Sequence, residues 1–206
     1  MKPFDIEDRE GWMWPRRDSA CWEWLQQEKD LPELISHHCN DKGIVVQAGG
    51  NCGLYVKVYA ELFNTVYTFE PNPQNFFCLT NNAQQSNIIK FQCCLGDENR
   101  SVGITYKKAN SGVSRVFGDG VFPTIKIDDL KLPGCDLIHL DIEGYEYFAL
   151  RGAIETIKQY KPIIVLEWLD HNNQFDVTSD DILNWLTELG YTEIAQIYHD
   201  KVFAAK

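Results

Sequence analysis

The chain has 206 residues, 44% of them hydrophobic and 24% charged, the balance of one globular domain rather than a disordered segment. Its 30 acids against 19 bases leave a formal charge of −11, a field that repels phosphate backbones and argues against nucleic-acid binding; the basic pairs Arg16-Arg17 and Lys107-Lys108 are too short to make a groove. No stretch approaches the roughly 20 apolar residues that span a bilayer, so no membrane segment is expected.

Met1-Lys2-Pro3-Phe4-Asp5 lacks the apolar run of a secretory signal. The 7 cysteines are scattered without a C-x-x-C pair, which suits reduced thiols and a cytoplasmic location. Residues 1 to 17 are polar, with Trp12 and Trp14 and no clear period. From Ser19 a helical pattern places Cys21, Trp22 and Leu25, then Leu34, Ile35 and Cys39 after Pro32, on apolar stripes. This gives an N-terminal helical or lid segment over 1–42, ahead of a main unit over 43–206. Ile44-Val45-Val46 is a β-branched run that meets Gly49-Gly50, and Leu54, Val58 and Leu62 form the next helical stripe.

Val66 to Phe69 predicts a second strand, ending at Glu70-Pro71-Asn72-Pro73. A helix over 74–86 and a third strand over Ile88 to Leu95 follow. Glycines 103, 112, 118 and 120, with Val102, Ile104 and Tyr106 alternating, make 97–127 a hairpin or an irregular insertion. Leu137 to Leu140 is the next strand, and Asp141-Ile142-Glu143-Gly144 leads into a helix carrying Tyr147, Leu150, Ile154 and Ile157. Ile163 to Leu166 is the fifth strand. Thr178-x-x-Asp181 has the spacing of a capping box, opening a helix with Ile182, Trp185, Leu186 and Leu189. Two closing strands near 192–198 and 201–205 form an antiparallel pair. The alternation predicts a mostly parallel α/β sheet covered on both faces. Ligands bind such sheets beyond the carboxyl ends of the strands, here Gln47, Glu70, Asp141 and Glu167.

Gln47-Ala48-Gly49-Gly50-Asn51-Cys52-Gly53 lies between a strand and a helix, where glycines let the backbone turn sharply and approach a ligand. The dinucleotide pattern G-x-G-x-x-G fails, because Asn51 and Leu54 stand at its second and third glycines, which disfavours a nicotinamide oxidoreductase. G-x-N-x-G does fit, at Gly49, Asn51 and Gly53. There is no phosphate-cradling P-loop. Taken alone, the loop also reads as a ligand-free turn. Glu70, 17 positions after Gly53, has the placement of a carboxylate that accepts both hydroxyls of a ribose.

The runs Val45 to Tyr55, Tyr67 to Pro73, Thr124 to Leu130, Leu137 to Glu146, Leu150 to Ala153 and Pro162 to Glu167, in this order, resemble FkbM-like methyltransferases over roughly residues 43 to 170. The resemblance implies a class I, Rossmann-like fold over 43–206, with a seven-stranded, mostly parallel sheet. It also implies S-adenosylmethionine as methyl donor, with S-adenosylhomocysteine as product and a hydroxyl of a sugar, glycan or small metabolite as acceptor. By the same resemblance Gln47, Gly49, Asn51 and Gly53 line the methionine and ribose parts of the cofactor. Glu70 takes the ribose diol, Asn72 lies beside the adenosine, and Asp97 lies near the adenine. One departure is that the family usually carries an acid at position 47; Gln47 keeps a hydrogen-bonding oxygen and loses the charge. That leaves open an alternative, a catalytically silent cofactor-binding or interaction protein of the same fold.

Methyl transfer to an unactivated hydroxyl needs alignment and removal of a proton. His139 and Asp141, two apart on one strand, point to the same face. Asp141 or Glu143 is the expected base or acceptor-orienting group, with His139 tuning it. Against this, Asp141 also suits a helix cap and His139 a hydrogen-bonded core position. A divalent cation on Asp141, Glu143 and Glu167 is conceivable and not favoured. Asn110, Ser111, Ser114 and Arg115 suit the hydroxyls or anionic group of a small-molecule or carbohydrate acceptor. Trp12 and Trp14 read equally well as a lid or as an apolar plug, and Trp168 and His171 are ambiguous.

Overall fold

The computed structural model describes residues 4–107, 109–169 and 174–206. His171 therefore lies outside the described residues. The N-terminal part holds two short strands, β1 (Ile6–Arg9) and β2 (Trp12–Pro15), followed by α1 (Ala20–Gln27) and α2 (Leu31–Ser36). The main unit runs β3 (Ile44–Ala48), α3 (Leu54–Leu62), β4 (Thr65–Phe69), α4 (Pro73–Asn82) and β5 (Ile88–Phe91). The insertion contributes β6 (Cys94–Leu95), β7 (Ser101–Ile104) and β8 (Val116–Ile125). After it come β9 (Leu137–Leu140), α5 (Glu146–Arg151), α6 (Ile154–Tyr160), β10 (Ile163–Glu167), α7 (Ser179–Glu188), β11 (Tyr191–Ile197) and β12 (Asp200–Ala205).

Seven strands form one sheet in the order β11-β12-β10-β9-β3-β4-β5. The five from β10 to β5 are parallel, while β12 runs antiparallel to β10 and β11 antiparallel to β12. This is the Rossmann-like α/β architecture expected from the sequence, with its antiparallel C-terminal pair. Alternate residues of each strand serve opposite faces. Val45, Leu137, Val165 and Val202 pack with α1 to α4, while Val46, Ile138, Ile164 and Phe203 pack with α5 to α7. Both faces are thus buried, which is why the parallel strands read as continuous apolar runs. The strand order reverses at β3, between β4 and β9, and the crevice at that reversal is where such sheets bind ligands.

Several sequence expectations meet local corrections. Residues 6–15 form a hairpin, Ile6 pairing with Pro15 and Arg9 with Trp12, turned by Glu10 and Gly11 at φ of 54° and 85°. Strands of four residues are too short to show a period. The third strand stops at Phe91, and Cys94–Leu95 leaves the main sheet to pair with Thr124 and Ile125 of β8. The insertion captures those backbone groups, so the apolar run from 88 to 95 serves two sheets. The Thr178 capping box is present with Asp181, as its spacing predicts.

Trp14 is fully buried, edge-on to Trp22, with its indole N–H donated to the Asp18 carbonyl. Trp12 packs against the same core and meets the Lys57 ammonium over its ring. These two tryptophans fill an apolar seam. Trp14→Ala should lower the free energy of unfolding by roughly 3–5 kcal/mol, the usual cost of truncating a buried aromatic, and Trp12→Ala should cost clearly less. Urea unfolding measures both, and an equal or reversed ranking would remove Trp14 from the seam.

Candidate active site

A cavity of about 310 Å³ opens at the carboxyl ends of the parallel strands. Its floor is the loop after β3. Gly49 has φ +84°, and a Cβ there would lie 2.0 Å from the Asp141 carbonyl oxygen, so only glycine allows the two strand ends to come this close. The backbone N–H groups of Gly49 and Gly50 both donate to the Phe69 carbonyl, fixing the loop to β4. Gln47 pins it from below: its Oε1 accepts from the Thr68 hydroxyl at 2.8 Å, and its Nε2 donates to the Ala48 and Gly49 carbonyls.

Glu70 is the loop's charged partner. Its two carboxylate oxygens accept from the backbone N–H of Asn51 and of Asn72, each at 2.8 Å. Burial pushes its pKa up to about 7 against these two hydrogen bonds, which favour the ionised form. Asn51 sits at φ 44°, its side-chain amide turned to the Cys21 thiol at 3.3 Å.

Across the cavity stand Asp141, Glu143 and Glu167. Desolvation raises the pKa of Asp141, and the nearby Asp200, Glu143 and Glu146 raise it further, while a hydrogen bond with Glu167 lowers it. Glu167 is pushed up by burial and by Asp141. Such a pair holds one proton more readily than two charges. Glu143 is raised by burial, with the Arg115 guanidinium at 3.4 Å opposing the shift. It also occupies the left-handed region, at φ 58°, a conformation costing a non-glycine residue on the order of 1–2 kcal/mol. The turn is held in that shape by buried Glu146, whose Oε1 accepts from Ile142 N and Gly144 N. Among the described residues, no group of three or more His, Cys, Asp or Glu side chains is arranged to hold a metal ion.

Of the residues singled out in the sequence, Gly49, Asn51, Glu70, Asp141, Glu143 and Glu167 line this cavity together, as do Asn110, Ser111 and Ser114 of the insertion, while Arg115 reaches it only through Glu143. Others stand outside its lining. Gly53, at φ +94°, precedes α3 and packs against Leu79 and Ala83. Asn72 caps α4, its side chain accepting from Gln74 N. Asp97 follows β6 and pairs with Arg151 at 3.8 Å, because the third strand ends before it. His139 is fully buried, its Nδ1 2.8 Å from the Tyr59 hydroxyl and its Nε2 3.2 Å from Asp200. Its ring faces α3 and has no access to the cavity, so it is a hydrogen-bonded core residue.

Sequence reasoning missed part of the site. Ala20, Cys21, Trp24 and Leu25 of α1, and Cys93 to Leu95, also line the cavity. It missed Asp18 as well, whose carboxylate accepts from Cys21 N and from the Ser111 hydroxyl and so ties α1 to the insertion. The α1 stripe is core and cavity wall at once, and a helical period cannot separate the two.

The family description Methyltransferase FkbM domain matches residues 50–193. By sequence, the chain is similar to the hexuronic acid methyltransferase AglP of Haloferax volcanii, 25% identical over 189 residues, which cover 87% of this chain and 76% of that protein. By structure, it is similar to a precorrin-6y C5,15-methyltransferase from Geobacter metallireducens, with a TM-score of 0.51 at 13% identity over 88% of each chain; this likeness shows the fold. A methyltransferase FkbM from Methylobacillus flagellatus superposes with a TM-score of 0.49 at 17% identity, over 92% of this chain and 56% of that one. This chain therefore spans little more than half the length of that protein. The family match runs from the loop after β3 through Glu70, the Asp141 turn and the last helix into the start of β11: the chain belongs to the FkbM methyltransferase domain family.

Proposed function

We propose that the chain is an S-adenosylmethionine-dependent methyltransferase whose acceptor is a hydroxyl of a sugar, glycan or small metabolite. One observation carries this reading. The charged side chains lining the cavity among the described residues are Glu70, Asp141, Glu143 and Glu167, all acids, with no lysine or arginine. A donor bearing a sulfonium and an ammonium suits that wall, whereas the diphosphate of a nicotinamide dinucleotide is repelled by it. The hexuronic acid methyltransferase relative supports a sugar as acceptor. The seven buried, unpaired cysteines suit a reducing compartment, which favours the cytoplasm.

The residues present fit such a cofactor. Gly49, Gly50 and Asn51 offer bare backbone beside its methionine part, Glu70 offers a carboxylate to its ribose, and Cys93 to Leu95 offer an apolar flank to its base. When bound, S-adenosylmethionine supplies an electrophilic methyl group. The chain's own part is to orient the acceptor and take its proton. Asp141 is the proposed base; burial and the neighbouring acids raise its pKa, and the hydrogen bond with Glu167 opposes that rise. Glu143, fixed by its turn and by Arg115, orients the acceptor. His139 acts only through Tyr59 and Asp200, as a positioning residue. Gln47 spends both ends of its amide on Thr68 and the loop, so its missing charge lies beneath the cavity. That arrangement weakens the case for a catalytically silent binding protein.

Two outcomes test the reading. The ribose diol needs Glu70 ionised, and its pKa is raised from the ordinary 4.5 to about 7. Affinity for S-adenosylmethionine should therefore strengthen as pH rises, roughly tenfold between about pH 6 and pH 8, because a raised acid must first lose its proton. Calorimetric titration across that range should show the slope in the native chain and its loss in Glu70→Gln. A flat native profile removes Glu70 from the ribose. Asp141→Asn should lower kcat by about 100-fold or more, the usual weight of a positioned base, while cofactor affinity stays within a few-fold. Unchanged turnover with the true acceptor would move the base elsewhere.

A further inference from the structure

The fold brings one residue from each basic stretch of the sequence, Arg17 and Lys107, to one place. Arg17 and Lys107 line a second cavity, of about 380 Å³, at the first turn of α4. Among the described residues, the acid in its lining is Asp5. That carboxylate lies 3.5 Å from Arg17 and is shared with Arg16 at 3.0 Å, so positive charge is in excess there. The contrast with the main cavity is one of sign, in a chain whose net charge is −11.

The wall of the second cavity also includes a side chain with an unmet hydrogen-bond acceptor. Asn75 is 1% exposed and forms part of the wall. Its Nδ2 donates to the Ser111 carbonyl at 3.1 Å, and its Oδ1 accepts from nothing among the described residues. A buried acceptor of this kind is costly until a donor reaches it. A simple anion has no donor to offer. A hydroxylated anion has both the charge that Arg17 and Lys107 attract and the O–H that Asn75 lacks, and the half-exposed Tyr106 ring beside them offers a flat apolar face. Ser111 belongs to the walls of both cavities, so a ligand in the second one lies one residue away from the first.

Resting on the methyl-transfer reading, we propose that this second cavity is an acceptor subsite for an anionic sugar unit, carrying a carboxylate or a phosphate, next to the hydroxyl that is methylated. The acceptor then spans the Asn110–Ser114 stretch, and its charged unit fixes which hydroxyl reaches Asp141.

Ligand-observed NMR titration of the whole chain with glucuronate, glucose 6-phosphate and glucose tests this. At least one anionic sugar should bind roughly tenfold tighter than glucose, a gain of about 1.4 kcal/mol. The two charged arms separate carboxylate from phosphate. The gain should vanish in the Arg17→Ala, Lys107→Ala double variant, whose exposed positions leave the fold intact, and should grow in Asp5→Asn, which frees Arg17. Glucose binding as tightly as both anions, or a gain that survives the double variant, overturns the assignment. S-adenosylmethionine is titrated into the same samples. Normal cofactor binding without sugar discrimination sinks the subsite alone. Sugar discrimination without cofactor binding sinks the methyl-transfer reading and, with it, the role as an acceptor subsite.

Discussion

The site depends on how closely the chain leaving β3 approaches the chain leaving β9. The Asp141 N–H donates to the Ala48 carbonyl, and the Gly49 backbone lies so near the Asp141 carbonyl that a single methyl group would not fit between them. This contact puts a bare backbone loop and a carboxylate on opposite walls of one crevice. Each wall is braced by its own hydrogen bonds. The loop is hydrogen-bonded to β4 beneath it, and the Asp141 turn is braced by the Glu146 carboxylate.

Electrostatics follows from that closeness. Acids crowded at the strand ends and withdrawn from water resist ionising, and Glu70, Asp141, Glu143, Glu146 and Glu167 are all shifted upward with burial as the leading cause. The same burial means that any charge these acids do carry is poorly screened inside the crevice. The wall that is unfavourable when the chain folds is thus the wall on which the proposed function rests.

Much of the fold was legible in the sequence. Parallel strands buried on both faces leave unbroken runs such as Ile44-Val45-Val46 and Ile163-Ile164-Val165-Leu166, and the Thr178 capping box announces its helix. The residues brought into the cavity, Gly49, Asn51, Glu70, Asp141 and Glu143, were visible because each stands where a strand ends. What stayed hidden depends on tertiary contact. The alternation of His139 with Asp141 is real, but β9 stops at Leu140, so the two side chains enter different surroundings. Asp97 follows a strand that leaves the main sheet early, a departure caused by pairing with residues 30 positions downstream. Asp18 carries no local motif at all, and its importance comes from Ser111, 93 residues away.

That last carboxylate has a wider consequence. The hairpin is stitched to the Asp18 carbonyl by Trp14 and Arg9, α1 begins on its side chain, and the insertion hangs from its other oxygen. The roof over the crevice is therefore one mechanical unit assembled from both ends of a long stretch of chain. Removing the Asp18 carboxylate would cut α1 and the insertion loose together, because the one side chain holds both.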